Sequence, residues 1–289
     1  MQVQLDATAY NVIDVKDGGM GRVWMLERPS HEDYDPVYRK RLAVKTFDFT
    51  SDVDAVEREL NIWVSLSHPS IVPLLKIGRL NYRLAAVMPL MEGSLFDLLE
   101  RQGPLGERKT ANIMFRVVEA LASAWKGAGV LHLDLKPQNI LYISGSSYQP
   151  KVSDWGISRL ASSASNYLGG SSSVFGSAAT EHRTKFSAGT PIYMAPERFT
   201  GDWELSPTAD IYSIGLLLVQ LSSGRLPFTF GEVDPISEIF NGALQKNSIA
   251  LLENASRPFG ELCLDCINPD FRRRVESFEF ILQKLERMS

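Results

Sequence analysis

His132-Leu133-Asp134-Leu135-Lys136-Pro137-Gln138-Asn139 follows the apolar pair Val130-Leu131 and sets an acid, a cation and an amide within the six residues 134–139. A second acid follows 15 residues beyond Asn139, in Asp154-Trp155-Gly156, behind Lys151-Val152-Ser153. Two aspartates and an asparagine at loop positions beside short strands suit a hard cation of the Mg²⁺ kind, which takes one or two carboxylates and completes its shell with phosphate and water. Turn-forming Asp and Asn would explain either cluster alone. Both together, with the features upstream of them, point to phosphate chemistry.

Upstream, Asp17-Gly18-Gly19-Met20-Gly21-Arg22-Val23 places glycines between two strand-like runs. Without a Cβ, such residues let backbone N–H groups approach a phosphate closely, although a plain hairpin turn would use the same residues. In Ala43-Val44-Lys45 a lysine lies inside an apolar strand run, where its stem is buried and its ammonium needs an anionic partner. Glu59 is the candidate. It sits in an amphipathic segment, 52–66, whose Val53, Val56, Leu60 and Trp63 recur at helical spacing behind a Ser51 or Asp52 cap.

The chain changes character near residue 90. Strand signals dominate before it, at Val12, Val23 to Met25, Leu42 to Lys45, 71–75 and 84–88, while helical periodicity dominates afterwards, at 95–101, 110–127, 209–223, 236–252 and 278–288. Between Ser158 and Thr180, eight serines and three glycines in 23 residues read as a loop outside the core. With 289 residues the chain sits at the upper end for one hydrophobic core, roughly 250–300 residues, so two lobes are expected. The balance of 30 Lys+Arg against 34 Asp+Glu, net −4, argues against a nucleic-acid partner, because phosphate-backbone binding needs a clustered basic excess. The first ten residues carry no secretory or myristoylation signal, and the longest apolar run, Ile211 to Leu221, is interrupted by Ser213 and Gly215. A cytoplasmic protein without membrane insertion is expected. Cys263 and Cys266 fall two ligands short of a structural zinc site and read as one face of a buried helix.

In order and spacing these motifs resemble a eukaryotic-type protein kinase domain of the serine/threonine branch, from about Val12 to Leu285. The resemblance implies an α+β, bilobal fold: a small antiparallel β-sheet N-lobe with one helix (1–88), a hinge (89–93) and a larger, mainly α-helical C-lobe (94–289). It implies that ATP is bound by Gly18, Gly19, Gly21, Val23, Ala43, Lys45, Met88, Pro89, Leu90, Met91 and Leu141, with Met88 as gatekeeper. Lys45 would hold the α- and β-phosphates and pair with Glu59. Asp134 falls on the catalytic base, Lys136 on the lysine facing the γ-phosphate, and Asn139 and Asp154 on the Mg²⁺ ligands. Glu197 of Ala195-Pro196-Glu197 would pair with Arg274, Asp210 would support the catalytic loop, and Thr190 belongs to the Gly189-Thr190-Pro191-Ile192-Tyr193 run typical of the serine/threonine branch. A protein hydroxyl is the implied acceptor, with a second copy of the chain as a transient partner in autophosphorylation. A catalytically weak kinase-fold scaffold and a small-molecule phosphotransferase are the alternatives. Lys136 and the run Thr190 to Glu197 favour a protein substrate.

Three departures from the family pattern carry expectations of their own. Lys16 stands at the first loop glycine. Leu133 replaces the arginine of H-R-D and cannot bind a phosphate on the segment 154–197, so activity should not depend strictly on phosphorylation there, at Thr184, Ser187 or a neighbour. Trp155 replaces the phenylalanine of D-F-G, and by the resemblance it should stack with Trp63 and His132 between the lobes in the active state. Ser94 and Gln138 replace acids common in kinases that prefer basic substrates, which argues against an arginine-rich target.

Overall fold

Alternating apolar residues build the first lobe. Strands β1 (Gln2–Leu5), β2 (Thr8–Gly18), β3 (Gly21–Glu27), β4 (Arg41–Phe47), β5 (Lys76–Leu80) and β6 (Arg83–Pro89) form an antiparallel sheet in the order β1-β2-β3-β4-β6-β5. The computed structural model describes residues 1–18, 21–28, 41–47, 53–143, 148–155, 159–160, 192–200, 206–228, 235–240 and 242–288. Gly19, residues 29–40, Thr184, Ser187, Thr190 and most of the serine-rich segment lie outside the described residues, as does the side chain of Glu59 within its helix.

Strand β1 was not anticipated. Gln2-Val3-Gln4-Leu5 alternates strictly, with Val3 and Leu5 joining Tyr10, Leu26, Leu42, Val44, Leu80, Ala85 and Val87 in a buried cluster. The sheet curls until its edges meet at Leu5 and Leu80. Two backbone bonds support that closure, Asn81 N to Gln4 O at 2.9 Å and Asp6 N to Arg79 O at 2.8 Å. Lys76 Nζ donates to Asp6 at 2.6 Å, and this bond holds the Asp6 carboxyl below its ordinary value.

The opposite face of the sheet is covered by α1 (Val53–Ser65). Its Val56, Leu60 and Trp63 pack with Ala43, Phe47, Val72, Ala86 and Met88. The stretch 71–75 is not a strand as its composition suggested: only Ile71 forms an isolated bridge, to Val152. Pro73 lacks the N–H that a ladder needs. The stretch instead ties the two lobes together, with Val72 N donating to Val152 O at 2.9 Å and Val152 N to Ser70 O at 2.8 Å.

The second lobe is mainly helical, comprising α2 (Leu95–Gln102), α3 (Glu107–Ala128), α4 (Glu197–Thr200), α5 (Thr208–Ser223), α6 (Pro235–Phe240), α7 (Ala243–Leu251), α8 (Arg257–Cys266) and α9 (Phe278–Glu286) among the described residues. Helix α5 is buried at 13 of its 16 positions, which makes it the axis of the lobe rather than an amphipathic surface helix. At Gly215 a Cβ would lie 2.6 Å from the Ile267 side chain, so glycine lets α8 and its C-terminal end approach α5 closely. The single helix expected over 236–252 is two, α6 and α7, separated where Gly242 takes φ +80°. Cys263 and Cys266 are fully buried on α8, and desolvation pushes both thiols up, away from redox or metal chemistry.

Short strands carry the loops between the lobes. Strands β7 (Gly93–Ser94), β9 (Ile140–Ile143) and β10 (Gln149–Val152) form one sheet, and β8 (Val130–Leu131) pairs with β11 (Arg159–Leu160). Ser94 is spent on the start of α2: its Oγ accepts from Asp97 N at 3.2 Å, and Asp97 Oδ2 accepts from Ser94 N at 2.7 Å, a reciprocal capping box.

Candidate active site between the lobes

The glycine turn is shaped by contact with its neighbour strand. Gly18 pairs with Gly21, and at Gly21 (φ +143°) a Cβ would fall 1.9 Å from Thr46 O, so a side chain there is excluded. Behind the turn, Val23 pairs with Lys45, and Ala43 pairs with Met25 and Met88. Val23, Ala43, Met88, Leu90 and Met91 gather with Leu141 of β9 into one apolar cluster, so residues of both lobes line the same space. Pro89 closes β6, paired with Leu42.

The polar residues form a second, contiguous group. Lys45 Nζ donates to Asp154 Oδ1 at 2.9 Å, with 12% of the lysine side chain and 45% of the aspartate exposed. Burial works to raise the Asp154 carboxyl, but the charge and hydrogen bond of Lys45, with the charge of Lys136, outweigh it and hold the group below its ordinary value. Asp154 itself has φ +62° and follows Ser153, whose N–H and Oγ both donate to Asn139 O, at 2.9 and 3.0 Å. Asn139 ends the 3₁₀ turn Pro137–Asn139, and its Nδ2 donates to Asp134 O at 2.8 Å and Asp134 Oδ2 at 3.0 Å. Lys136 Nζ donates to the same Oδ2 at 2.7 Å. The Lys45–Asp154 pair and the Asn139–Asp134–Lys136 group are thus joined through Ser153, which precedes Asp154 and bonds the Asn139 carbonyl.

Beneath this group, Asp210 of α5 is fully buried and accepts from His132 N and Leu133 N, both at 2.8 Å. Desolvation pushes its carboxyl up, while these two bonds favour the ionised form. Asp134 N donates to His132 Nδ1 at 3.2 Å, which makes Nδ1 an acceptor and leaves Nε2 to donate to Ser153 O at 2.9 Å. That is the neutral imidazole with its proton on Nε2, a structural histidine. The Trp155 ring lies 4.7 Å from the His132 ring and is fully buried. Trp63 does not join this pair. Its ring lies in the N-lobe cluster, and its Nε1 donates to Val72 O at 2.7 Å.

Further out, Arg274 makes a two-pronged pair with Glu197 at 2.7 and 3.0 Å, and also donates to Thr208 O and Asn268 O. Tyr193 lies nearby: its carbonyl accepts from Ser213 Oγ at 2.8 Å, and its hydroxyl donates to Gln220. One contact escaped the sequence reading. Arg198, directly after Glu197, donates from Nη1 to Leu133 O. No spacing rule signals it, because the partner is a backbone carbonyl 65 residues away.

A family model described as protein kinase domain matches residues 17–285. Among curated proteins, the chain is 29% identical over 240 residues to "Calcium-dependent protein kinase 5" of Plasmodium berghei, covering 81% of this chain and 38% of that protein. It is 33% identical over 219 residues to "Serine/threonine-protein kinase pkn3" of Myxococcus xanthus, covering 74% and 37%. With "Serine/threonine-protein kinase PkaA" of Streptomyces coelicolor it shares 35% over 225 residues, covering 74% and 38%. The chain therefore spans little more than a third of the length of these relatives.

Proposed function

Because this chain belongs to the protein kinase domain family, we propose that it transfers the γ-phosphoryl group of ATP to a serine or threonine hydroxyl of a protein. The observation that carries the proposal is the bond from Lys45 of the N-lobe to Asp154, with Asn139, Asp134 and Lys136 bonded to one another beside it and tied to it through Ser153. The adenine occupies the space lined by Val23, Ala43, Met88, Leu90, Met91 and Leu141, with residues 89–93 as the hinge between lobes 1–88 and 94–289. Gly18, Gly19 and Gly21 bring backbone N–H groups to the phosphates, and Lys45, paired with Glu59, neutralises the α- and β-phosphates.

Asp134 orients the acceptor hydroxyl and takes its proton as a new P–O bond forms to the γ-phosphorus. The bond from that phosphorus to the β-phosphate oxygen breaks, and ADP leaves. Lys136, already held against Asp134, balances charge on the transferring group. Asp154 and Asn139 Oδ1 are oxygen donors of the kind a magnesium ion takes beside phosphate and water, and the ion would offset phosphate charge there.

Lys136 two residues after Asp134 supports serine/threonine specificity, as do the names of the Myxococcus xanthus and Streptomyces coelicolor relatives. No helix among the described residues is long and apolar enough to cross a membrane. We place the reaction in the cytoplasm, where ATP is supplied, and include transient encounter of two copies for autophosphorylation. The test is phosphoamino-acid analysis of protein labelled from γ-labelled ATP in the presence of magnesium. Phosphoserine and phosphothreonine support the proposal. Mainly phosphotyrosine, or labelling of amino alcohols and aminoglycosides but no protein, contradicts it.

A further inference from the structure

The peptide between Leu133 and Asp134 is held at both of its polar atoms. Its N–H, that of Asp134, donates to His132 Nδ1 at 3.2 Å, and its carbonyl, that of Leu133, accepts from Arg198 Nη1 at 2.5 Å. The residue before it is constrained as well. Leu133 N is bound by the buried Asp210 carboxylate at 2.8 Å, and Leu133 takes φ +65°, a backbone region unfavourable for a bulky side chain. Such a conformation persists only where its surroundings over-determine it. The Leu133 side chain is 96% buried and carries no donor, so the constraint on this carbonyl comes from elsewhere in the chain.

Arg198 is placed to supply it. It lies on α4 immediately after Glu197, and Glu197 is fixed by the buried Arg274. The guanidinium therefore reaches the catalytic loop from an element that is itself anchored to the C-lobe core. Its positive charge also favours the ionised form of Asp210, the group on the other side of Leu133. A planar guanidinium on a carbonyl resists rotation of the peptide plane, and that rotation would swing the Asp134 side chain, which begins one bond beyond.

We propose that Arg198 is a positioning residue for phosphoryl transfer: it locks the Leu133–Asp134 peptide from the far end of the segment 154–197 and so aims Asp134 at the acceptor hydroxyl. The proposal rests on the kinase reading above. The bond that Arg198 makes is to the carbonyl beside Asp134 and not to a residue proposed to line the adenine site, so its loss should act on the chemical step and not on nucleotide binding.

The experiment compares wild type, Arg198→Met, which keeps the stem and loses the donors, and Arg198→Lys, which keeps the charge and one reach of donor. Steady-state kcat, KM for ATP, direct ATP affinity and Tm are measured for each. The expected result is a fall in kcat of about 10- to 100-fold for Arg198→Met, the scale of a misplacement of about 1 Å. ATP affinity should stay within about twofold, because the nucleotide contacts come from other residues. Arg198→Lys should lie between the two. A folded Arg198→Met enzyme with wild-type kcat overturns the proposal, as does a parallel loss of kcat, ATP affinity and Tm that lysine does not relieve. Should Arg198→Met not fold, Arg198→Lys decides: lowered kcat at unchanged ATP affinity supports positioning, and unchanged kcat or equally lowered affinity refutes it. Wild type that binds ATP but transfers no phosphate refutes the kinase reading itself, and the proposal with it.

Discussion

Replacing Arg274 with methionine should bring the protein to the edge of folding. The Arg274 side chain is fully buried and that of Glu197 is 5% exposed, so their pair lies out of reach of solvent. Arg274 gives two bonds to Glu197, one to Thr208 O at 2.7 Å and one to Asn268 O at 2.9 Å, with its guanidinium 5.0 Å from the Tyr212 ring. Methionine preserves much of the stem's packing and none of the donors. Removing one partner of a buried pair costs about 3–5 kcal/mol, because the remaining charge is left in a low-dielectric site. Each carbonyl deprived of its donor adds roughly 1–3 kcal/mol where water cannot replace it. The sum is about 5–11 kcal/mol against a total stability of about 5–15 kcal/mol for a typical domain. Urea denaturation, followed by tryptophan fluorescence and far-UV circular dichroism, measures this cost. The double variant Arg274→Met/Glu197→Gln removes the stranded charge and should be more stable than Arg274→Met alone by about 1–3 kcal/mol. A single variant costing less than about 1 kcal/mol, or a double variant whose loss equals the sum of the two single losses, would refute the argument that desolvation dominates here.

Other consequences are more local. Leu5 is 1% exposed where the sheet edges meet, so Leu5→Ala should destabilise by about 2–4 kcal/mol in thermal or chemical unfolding, and a cost below 0.5 kcal/mol would show that β1 is dispensable. The Trp155 Nε1 donor is buried without a hydrogen-bond partner among the described residues. Trp155→Phe removes that donor, relieving about 1–3 kcal/mol, and opens a cavity costing roughly 1 kcal/mol, so stability should hold or rise; a loss above about 2 kcal/mol would contradict this. Leu133 cannot bind a segment phosphate, so phosphatase-treated protein should keep kcat within about threefold of the untreated enzyme, since no charge-assisted bond worth about 1.5–3 kcal/mol is lost. An enzyme silent after that treatment would overturn the expectation.

That Asp134, Lys136 and Asn139 meet was legible because an acid, a lysine and an amide bonded around one peptide turn cannot be far apart in sequence. Larger patterns were legible where burial is one-sided, as in α1, or complete, as in α5. Strand β1 escaped because four residues of simple alternation carry little signal, and their partners, Tyr10 and Leu80, are set by sheet curvature. The stretch 71–75 looked like a strand because composition registers apolar residues, whereas Pro73 and the bridge to Val152 make it an interlobe tie. Helical spacing puts Trp63 on the buried face of α1, but nothing in the spacing marks the bond from its Nε1 to Val72 O. Arg198 shows the same limit, since side-chain bonds to distant backbone carbonyls leave no mark in a motif.

The central claim is that Asp134 and its linked neighbours move a phosphoryl group from ATP to a protein hydroxyl. The most direct test is single-turnover transfer from γ-labelled ATP, at saturating nucleotide, to a mixed protein acceptor by wild type and by Asp134→Asn. The account predicts labelled protein from wild type and a rate at least about 100-fold lower from the variant, within the range lost with a general base, while both bind ATP equally. Equal labelling by the two proteins, or none by wild type that binds ATP, would contradict it.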